Sequence, residues 1–175
     1  MGGIVMRSLI AVSSESGNTY KLARYIQKGI GKSTLVHLQK EEVLADDYDF
    51  ILIGFYVDKG KVDSKALNFM HKLKHHKVAL FATLGGNPQS SEAQKVMTSA
   101  TALLEQQDNH IVGTLMRQGK IAPKVLASMY KLMPHLKEDK EHLERIARAS
   151  THPDANDKII SMLTATHWLK KVLSL

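Results

Sequence analysis

Short apolar runs alternate with longer segments of helical period through most of the chain, and this alternation constrains the fold more than any other feature. The pattern is typical of β-α-β units built around a parallel sheet. The first, third and fourth runs are apolar at consecutive positions, as buried parallel strands are when helices cover both faces of the sheet. We therefore expect those three strands at the centre. The five predicted strands span residues 8–12, 34–38, 50–54, 78–83 and 111–116.

Helices are predicted between and after these strands. In the first helix, apolar residues recur at helical spacing and glycines follow near its end. Those apolar residues are Leu22, Ala23, Ile26 and Ile30. Further helices are predicted over residues 65–73 and 91–106, and Ser90 or Ser91 is a suitable N-cap for the second of them.

Prolines punctuate the last third of the chain, which predicts a helical C-terminal extension over about residues 122–175. A chain of 175 residues fits one domain, and right-handed crossovers limit the arrangements of its strands. We expect a single domain over residues 1–175, a three-layer α/β/α sandwich with a parallel sheet. The predicted helices of the extension span residues 124–132, 139–149 and 154–173.

The composition excludes several kinds of chemistry. The chain contains no cysteine, which excludes a disulfide scaffold, an iron–sulfur centre, a cysteine nucleophile and a thiolate zinc site. Redox chemistry would therefore require a bound cofactor. No run approaches the ~20 consecutive apolar residues that span a bilayer, and the start of the chain lacks the pattern of a signal peptide. We expect a cytoplasmic location and no membrane partner.

The polar segment SSESGNT, residues 13–19, leaves the first strand and enters the first helix. Backbone N–H groups and the helix dipole make such a helix start an anion-binding site, and hydroxyl groups add further donors. The segment lacks the lysine of a Walker A motif and the spaced glycines of a dinucleotide-binding fold. It therefore favours a phosphate monoester bound without a cationic side chain. The alternative is a helix cap that binds no ligand.

Three segments carry a resemblance to flavodoxins. The first, SESGNT at residues 14–19, resembles the flavodoxin phosphate loop, whose pattern is Thr/Ser-x-Thr/Ser-Gly-x-Thr. The other two lie where the two flavin loops of flavodoxins follow strands three and four; they are GFYVDKG at 54–60 and TLGGNP at 83–88. RQGKI at 117–121 and HPD at 152–154 are similar to a short-chain flavodoxin family of anaerobic and gut bacteria, some members of which are linked to bilirubin reduction. The resemblance implies a flavodoxin-like sandwich with five parallel strands in the order 2-1-3-4-5.

The same resemblance implies FMN as the cofactor and electron transfer as the function. Tyr56 offers an aromatic face for the isoalloxazine ring, and glycines in the flavin loops let backbone groups approach it. The chain would pass electrons from a reductase to an acceptor protein, for which a bilirubin reductase is a candidate. The implied cofactor-binding residues are Ser14, Glu15, Ser16, Gly17, Asn18, Thr19, Phe55, Tyr56, Val57, Asp58, Lys59, Gly60, Thr83, Leu84, Gly85 and Gly86.

Two departures from the flavodoxin pattern bear on the partners. The second flavin loop, TLGGNPQSS, contains no aromatic residue, which would leave one flavin face more open. The chain is basic, with 24 Lys plus Arg against 17 Asp plus Glu, whereas flavodoxins are commonly acidic. Six lysines in residues 59–77 predict a docking face for an acidic partner.

Other functions stay open alongside the electron carrier. One is an FMN-dependent NAD(P)H or quinone oxidoreductase on the same fold, and another is a module that has lost FMN and only docks to proteins. His71, His75 and His76 lack the third ligand of a metal site and are interpreted as a solvated helix end. Aromatic residues make up only 6% of the chain and no recognition motif occurs, so nucleic acid is not an expected partner.

Overall fold

The computed structural model describes residues 5–175. The expectation about a signal peptide therefore concerns residues that lie partly outside it. The strands are β1 (Ser8–Val12), β2 (Thr34–His37), β3 (Phe50–Asp58), β4 (Lys61–Val62), β5 (Lys77–Leu84) and β6 (His110–Gln118). The helices are α1 (Asn18–Ile30), α2 (Ser64–His71), α3 (Ser91–Gln106), α4 (Pro123–Leu132), α5 (Lys140–Ala149) and α6 (Ala155–Leu173).

Five strands pair in parallel in the spatial order β2-β1-β3-β5-β6. With the short β4 set aside, this is the predicted order 2-1-3-4-5, and the prediction is confirmed. The three strands whose apolar runs are uninterrupted, β1, β3 and β5, occupy the centre. Their side chains are buried on both faces, because each face of the sheet is covered by helices.

The sheet is the middle layer of the sandwich. Side chains of α2 and α3 pack on one face, where Met70 and Leu104 are fully buried with alternate residues of the strands. Helices α1 and α6 cover the other face, where Ile26 and Trp168 belong to a second buried cluster. The period-2 alternation along each strand sends neighbouring side chains into opposite clusters, so both layers need apolar strand residues.

Strand β3 is longer than predicted, and this corrects the position of the first flavin loop. Residues 55–58 continue β3 instead of forming a loop, because they pair with β5 and with β4. Strand β4, absent from the sequence prediction, is antiparallel to β3 and joined to it by the two residues Lys59 and Gly60. Both have positive φ, 49° and 75°, as a type I′ hairpin turn requires.

The last third of the chain contains the three predicted helices. Helix α6 is part of the sandwich, since Ala165, Trp168 and Val172 join the core that α1 shares with the sheet. Every residue of α4 is half-buried or exposed, so α4 contributes little to that core. Within residues 5–175, no helix combines the length and the apolar character needed to cross a membrane.

Candidate functional site

The loop between β1 and α1 lies where the strand order changes direction. Strand β1 is flanked by β2 on one side and β3 on the other, so the loops after β1 and β3 leave a crevice at the carboxyl edge of the sheet. Ligands of open α/β sheets bind at such switch points. Residues 13–19 line this crevice from the β1 side.

Gly17 lets this loop turn into α1. Its φ is 95°, a left-handed conformation that glycine adopts without steric cost, and its N–H donates to Ser14 Oγ at 3.2 Å. Glu15, Ser16 and Gly17 are exposed. Within the described residues no side chain caps α1, so its first amides are available to an anion.

Gln39, just after β2, holds the loop of residues 13–19 through two hydrogen bonds. Its Nε2 donates to Ser13 Oγ at 2.6 Å, and its Oε1 accepts from the Ser14 N–H at 3.0 Å. One side chain thus fixes two successive residues of the loop. Sequence reasoning missed Gln39, whose only signal is its place beside the end of β1 in the parallel register.

Asp63, immediately before α2, joins three elements. Its buried carboxylate accepts from Ser13 Oγ at 2.5 Å, from the Tyr56 N–H at 3.1 Å and from the Ala66 N–H at 3.1 Å. Burial raises the pKa of this carboxyl above its usual value, although the hydrogen bonds work in the opposite direction. Asp63 therefore couples the phosphate loop, the end of β3 and the start of α2.

Tyr56 is half-buried at the end of β3, while the neighbouring Phe55 side chain is fully buried in the core. The Tyr56 hydroxyl donates to Glu15 Oε2 at 3.2 Å. Burial raises the pKa of Tyr56 to about 12, with nearby carboxylates adding to the effect, so the hydroxyl stays protonated. The aromatic residue predicted for the flavin thus lies against the exposed part of the phosphate loop.

Glu15 also meets a cation that sequence reasoning missed. Lys124 Nζ, from the first turn of α4, donates to Glu15 Oε1 at 2.9 Å across 109 residues of sequence. This hydrogen bond lowers the pKa of Glu15 below its usual value. The sequence predicts a phosphate bound without a cationic side chain, and the structure puts this ammonium group beside the loop. Spacing along the chain gave no signal for this contact.

The last two residues of the loop bond to other parts of the protein. Thr19 is buried, and its hydroxyl lies 2.7 Å from Thr83 Oγ1, which joins the start of α1 to the end of β5. Asn18 Nδ2 donates to the Lys120 carbonyl at 2.7 Å. Both side chains consequently position the loop relative to its neighbours.

The second flavin loop packs against the segment that follows β6. Gln118 Nε2 donates to the Gly85 carbonyl at 3.2 Å, and the Gly119 N–H donates to the Leu84 carbonyl at 2.8 Å. A side chain at Gly85 would collide with Ile121, because a Cβ there would lie 2.5 Å from that residue. Residues 118–121 are thus a further wall of the crevice.

A buried charge cluster anchors this wall to α6. Asp157 accepts from Arg117 Nε and from His152 Nδ1, each at 2.6 Å, and from the Asp154 N–H at 2.8 Å. Burial alone would raise the pKa of Asp157, but these donors hold it below the usual value. The His152 carbonyl in turn accepts from the Lys120 N–H at 3.0 Å. The cluster therefore fixes the segment that contacts Asn18.

The same cluster has the spacing of a metal site without its chemistry. Ligand atoms of His152, Asp154 and Asp157 lie within 4.8 Å of one another. However, Asp157 is already saturated by protein donors, and Asp154 caps α6 in a reciprocal capping box. A metal ion would have to break the hydrogen bond between His152 and Asp157, so we interpret the cluster as structural.

These features define a class of protein: a doubly wound α/β fold with an anion-binding helix start at its topological switch point. The chain belongs to the flavodoxin domain family, whose model matches residues 9–164. In flavodoxins, FMN binds at the switch between β1 and β3. Membership of the family confirms the predicted fold, the predicted cofactor FMN and electron transfer as the general function.

Individual relatives agree with this assignment. The chain is 31% identical to the flavodoxin-like domain-containing protein BilS of Clostridioides difficile over 160 residues, which cover 87% of this chain and 90% of that protein. Oxidised flavodoxin 1 of Bacillus cereus superposes with a TM-score of 0.62 at 15% identity, covering 94% of this chain and 97% of that one. Flavodoxin 2 of the same organism gives 0.57 at 21%, covering 94% and 99%.

Proposed function

We propose that the chain is an FMN-binding electron carrier that accepts electrons from a reductase and passes them to a partner oxidoreductase. The observation that supports this most directly is a convergence at one edge of the sheet. The start of α1, the Lys59–Gly60 turn beside Tyr56, and Gly85–Gly86 all meet there. A phosphate monoester and a flat ring attached to it fit this combination.

The proposed roles follow from where each residue lies. Backbone amides of Glu15, Ser16, Asn18 and Thr19 bind the phosphate, with the hydroxyls of Ser14 and Ser16 as further donors. Tyr56 and the Lys59–Gly60 turn flank one side of the ring, and Gly85–Gly86 the other. FMN, when bound, supplies the redox chemistry, whereas the chain orients it and limits its contact with water.

The absorption spectrum of the purified protein tests the proposal. A flavin spectrum, with FMN identified by mass in the released cofactor, is the expected result, because the single phosphate loop has no partner element for an adenylate. Release of FAD would contradict it. Absence of any flavin after reconstitution with FMN would favour a module that docks to proteins without a cofactor.

One observation favours the alternative of an FMN-dependent NAD(P)H or quinone oxidoreductase. A cavity of about 410 Å³ lies beside the second flavin loop, lined by residues 87–89, by the edge of β6 and by Arg117 and His152. A second substrate could occupy such a space. Steady-state NAD(P)H oxidation with a quinone distinguishes the functions, since an electron carrier should show no turnover without its reductase.

We place the acidic partner on a basic surface formed by five exposed lysines of the Lys59–Gly60 turn, β4, α2 and the segment that follows α2. Positive charges near a redox site raise the rate at which it encounters an acidic partner, and salt weakens the effect. They form no ion pair with the described residues 5–175. The basic surface comprises Lys59, Lys61, Lys65, Lys72 and Lys74.

Reversing Lys61, Lys65 and Lys72 to Glu should slow electron transfer to the acceptor at least about tenfold at low salt, and should flatten the salt dependence. Stopped-flow mixing with the acceptor, for which we propose a bilirubin reductase, measures this. The matched control reverses Lys28, Lys32 and Lys170, which are exposed on or next to α1 and α6 on the opposite side of the sheet. Equal rates for the two triple variants would argue against the basic surface.

The Lys59–Gly60 peptide is proposed to change orientation with the redox state of the flavin, as the family resemblance implies. A valine at position 60 disfavours the φ of 75° and restricts that movement. Gly60→Val should bring the two one-electron reduction potentials closer together in a redox titration. Gly31→Val is the control, because its φ of 83° carries the same strain at the far end of α1. If the reduction potentials shift equally in both variants, the shift does not arise from the Lys59–Gly60 peptide.

A further inference from the structure

Helix α4 is held at the candidate site by its N-terminal end. All its residues are half-buried or exposed. Lys124, in its first turn, reaches Glu15 at 2.9 Å, and the Lys120 carbonyl just before the helix accepts from Asn18 at 2.7 Å. Both contacts are made to the loop of residues 13–19.

The ion pair between Lys124 and Glu15 adds little to stability. Their side chains are 74% and 57% exposed, and water screens the attraction between such exposed groups. What matters about this ion pair is therefore where it places its two charges. It puts an ammonium group at the exposed side of a loop that has no basic residue of its own.

A phosphate monoester brings a charge of about −1.5 to −2 at neutral pH. Glu15 adds another negative charge inside the same loop, which works against an anion at the start of α1. Lysine carries three donors on a flexible stem, so one ammonium can serve a carboxylate and a phosphate together.

We infer that Lys124 is a phosphate-binding residue, which α4 supplies to the FMN phosphate and Glu15 holds in place. This inference rests on the proposed FMN site and adds a cation to it. It makes a specific claim: Lys124 should matter for ligands that carry the phosphate and not for the flavin ring alone.

Titrations of the apoprotein with FMN and with riboflavin test the inference, with flavin fluorescence as the readout. Lys124→Met should weaken FMN binding about fivefold and leave riboflavin binding unchanged within twofold. Lys131→Met removes an exposed lysine two turns further along α4 and should change neither affinity. Glu15→Gln should strengthen FMN binding, because it removes the competing negative charge while the amide oxygen can still accept from Lys124.

The double variant separates a phosphate-binding lysine from one that only neutralises Glu15. If Lys124 contacts the phosphate, adding Lys124→Met to Glu15→Gln should still weaken FMN binding at least about fivefold. If it only neutralises Glu15, the added substitution should have no effect, and the inference is wrong. An equal loss of riboflavin binding in Lys124→Met would also overturn it, since that indicates a general disturbance of the loop.

The failure of the proposed function looks different. In that case the wild-type chain binds neither FMN nor riboflavin, whatever residue stands at position 124. Binding of FMN by the wild type, combined with unchanged affinity in Lys124→Met, would retain the FMN site and reject only the role of Lys124.

Discussion

Replacing Asp157 by Asn should lower the free energy of unfolding by about 3 kcal/mol at neutral pH. The carboxylate is fully buried and accepts from Arg117 and His152 at 2.6 Å each. Loss of its charge leaves Arg117 without its counter-ion in a partly desolvated place. The Arg117 side chain is 23% exposed, so the expected loss of stability lies at the lower end of the range for buried ion pairs.

Urea unfolding at a fixed FMN concentration measures this change, because bound ligand itself stabilises the folded state. Glu144→Gln is the control, since it also neutralises an acidic residue paired with a basic one. That pair, with Lys140 at 4.0 Å, is exposed and should contribute less than about 0.5 kcal/mol. A loss below about 1 kcal/mol in Asp157→Asn would show that the cluster does not stabilise the fold.

The cost of Asp157→Asn should also depend on pH. The pKa of Asp157 is lowered in the folded state, so its carboxylate contributes stability that is fully present above the unfolded pKa of about 3.9. That contribution is lost as the pH falls through the folded pKa. The difference between wild type and variant should therefore shrink as the pH falls below about 4. A difference that stays constant at pH 3 would assign the effect to packing.

The regular elements were predictable because their signals are local. Uninterrupted apolar runs marked β1, β3 and β5, since a strand covered on both faces has no polar side. The start of α3 at Ser90 was equally predictable, because a capping side chain bonds to an amide only a few residues away. The end of β3 could not be predicted in this way, because its last residues pair with a strand of only two residues.

The supporting residues of the candidate site could not be predicted, and distance along the chain is the reason. Gln39 contacts the phosphate loop across 25 residues, Asp63 across 50 and Lys124 across 109. Each is an ordinary polar residue outside any motif. Only the parallel register and the path of the last third of the chain bring them to one edge of the sheet.

Asp63→Ala should lower the free energy of unfolding by about 3 kcal/mol and weaken FMN binding at least about tenfold. The substitution removes the N-cap of α2, which by itself costs about 1 kcal/mol. It also leaves the Ser13 hydroxyl and the Tyr56 N–H without their acceptor in a buried place. Because these two donors belong to the phosphate loop and to β3, their displacement should reach the FMN site.

Asp139→Ala separates the effect of the cap from that of the coupling. Asp139 caps α5 through the His142 N–H at 2.8 Å, and it is exposed. Its replacement should cost only about 1 kcal/mol and should leave FMN binding unchanged within twofold. Urea unfolding and FMN titration of both variants provide the comparison. If Asp63→Ala lowers the free energy of unfolding no more than Asp139→Ala does, Asp63 acts only as a helix cap. If the Asp63→Ala variant is destabilised but binds FMN normally, the phosphate loop keeps its conformation without Asp63, and Gln39 is its remaining support.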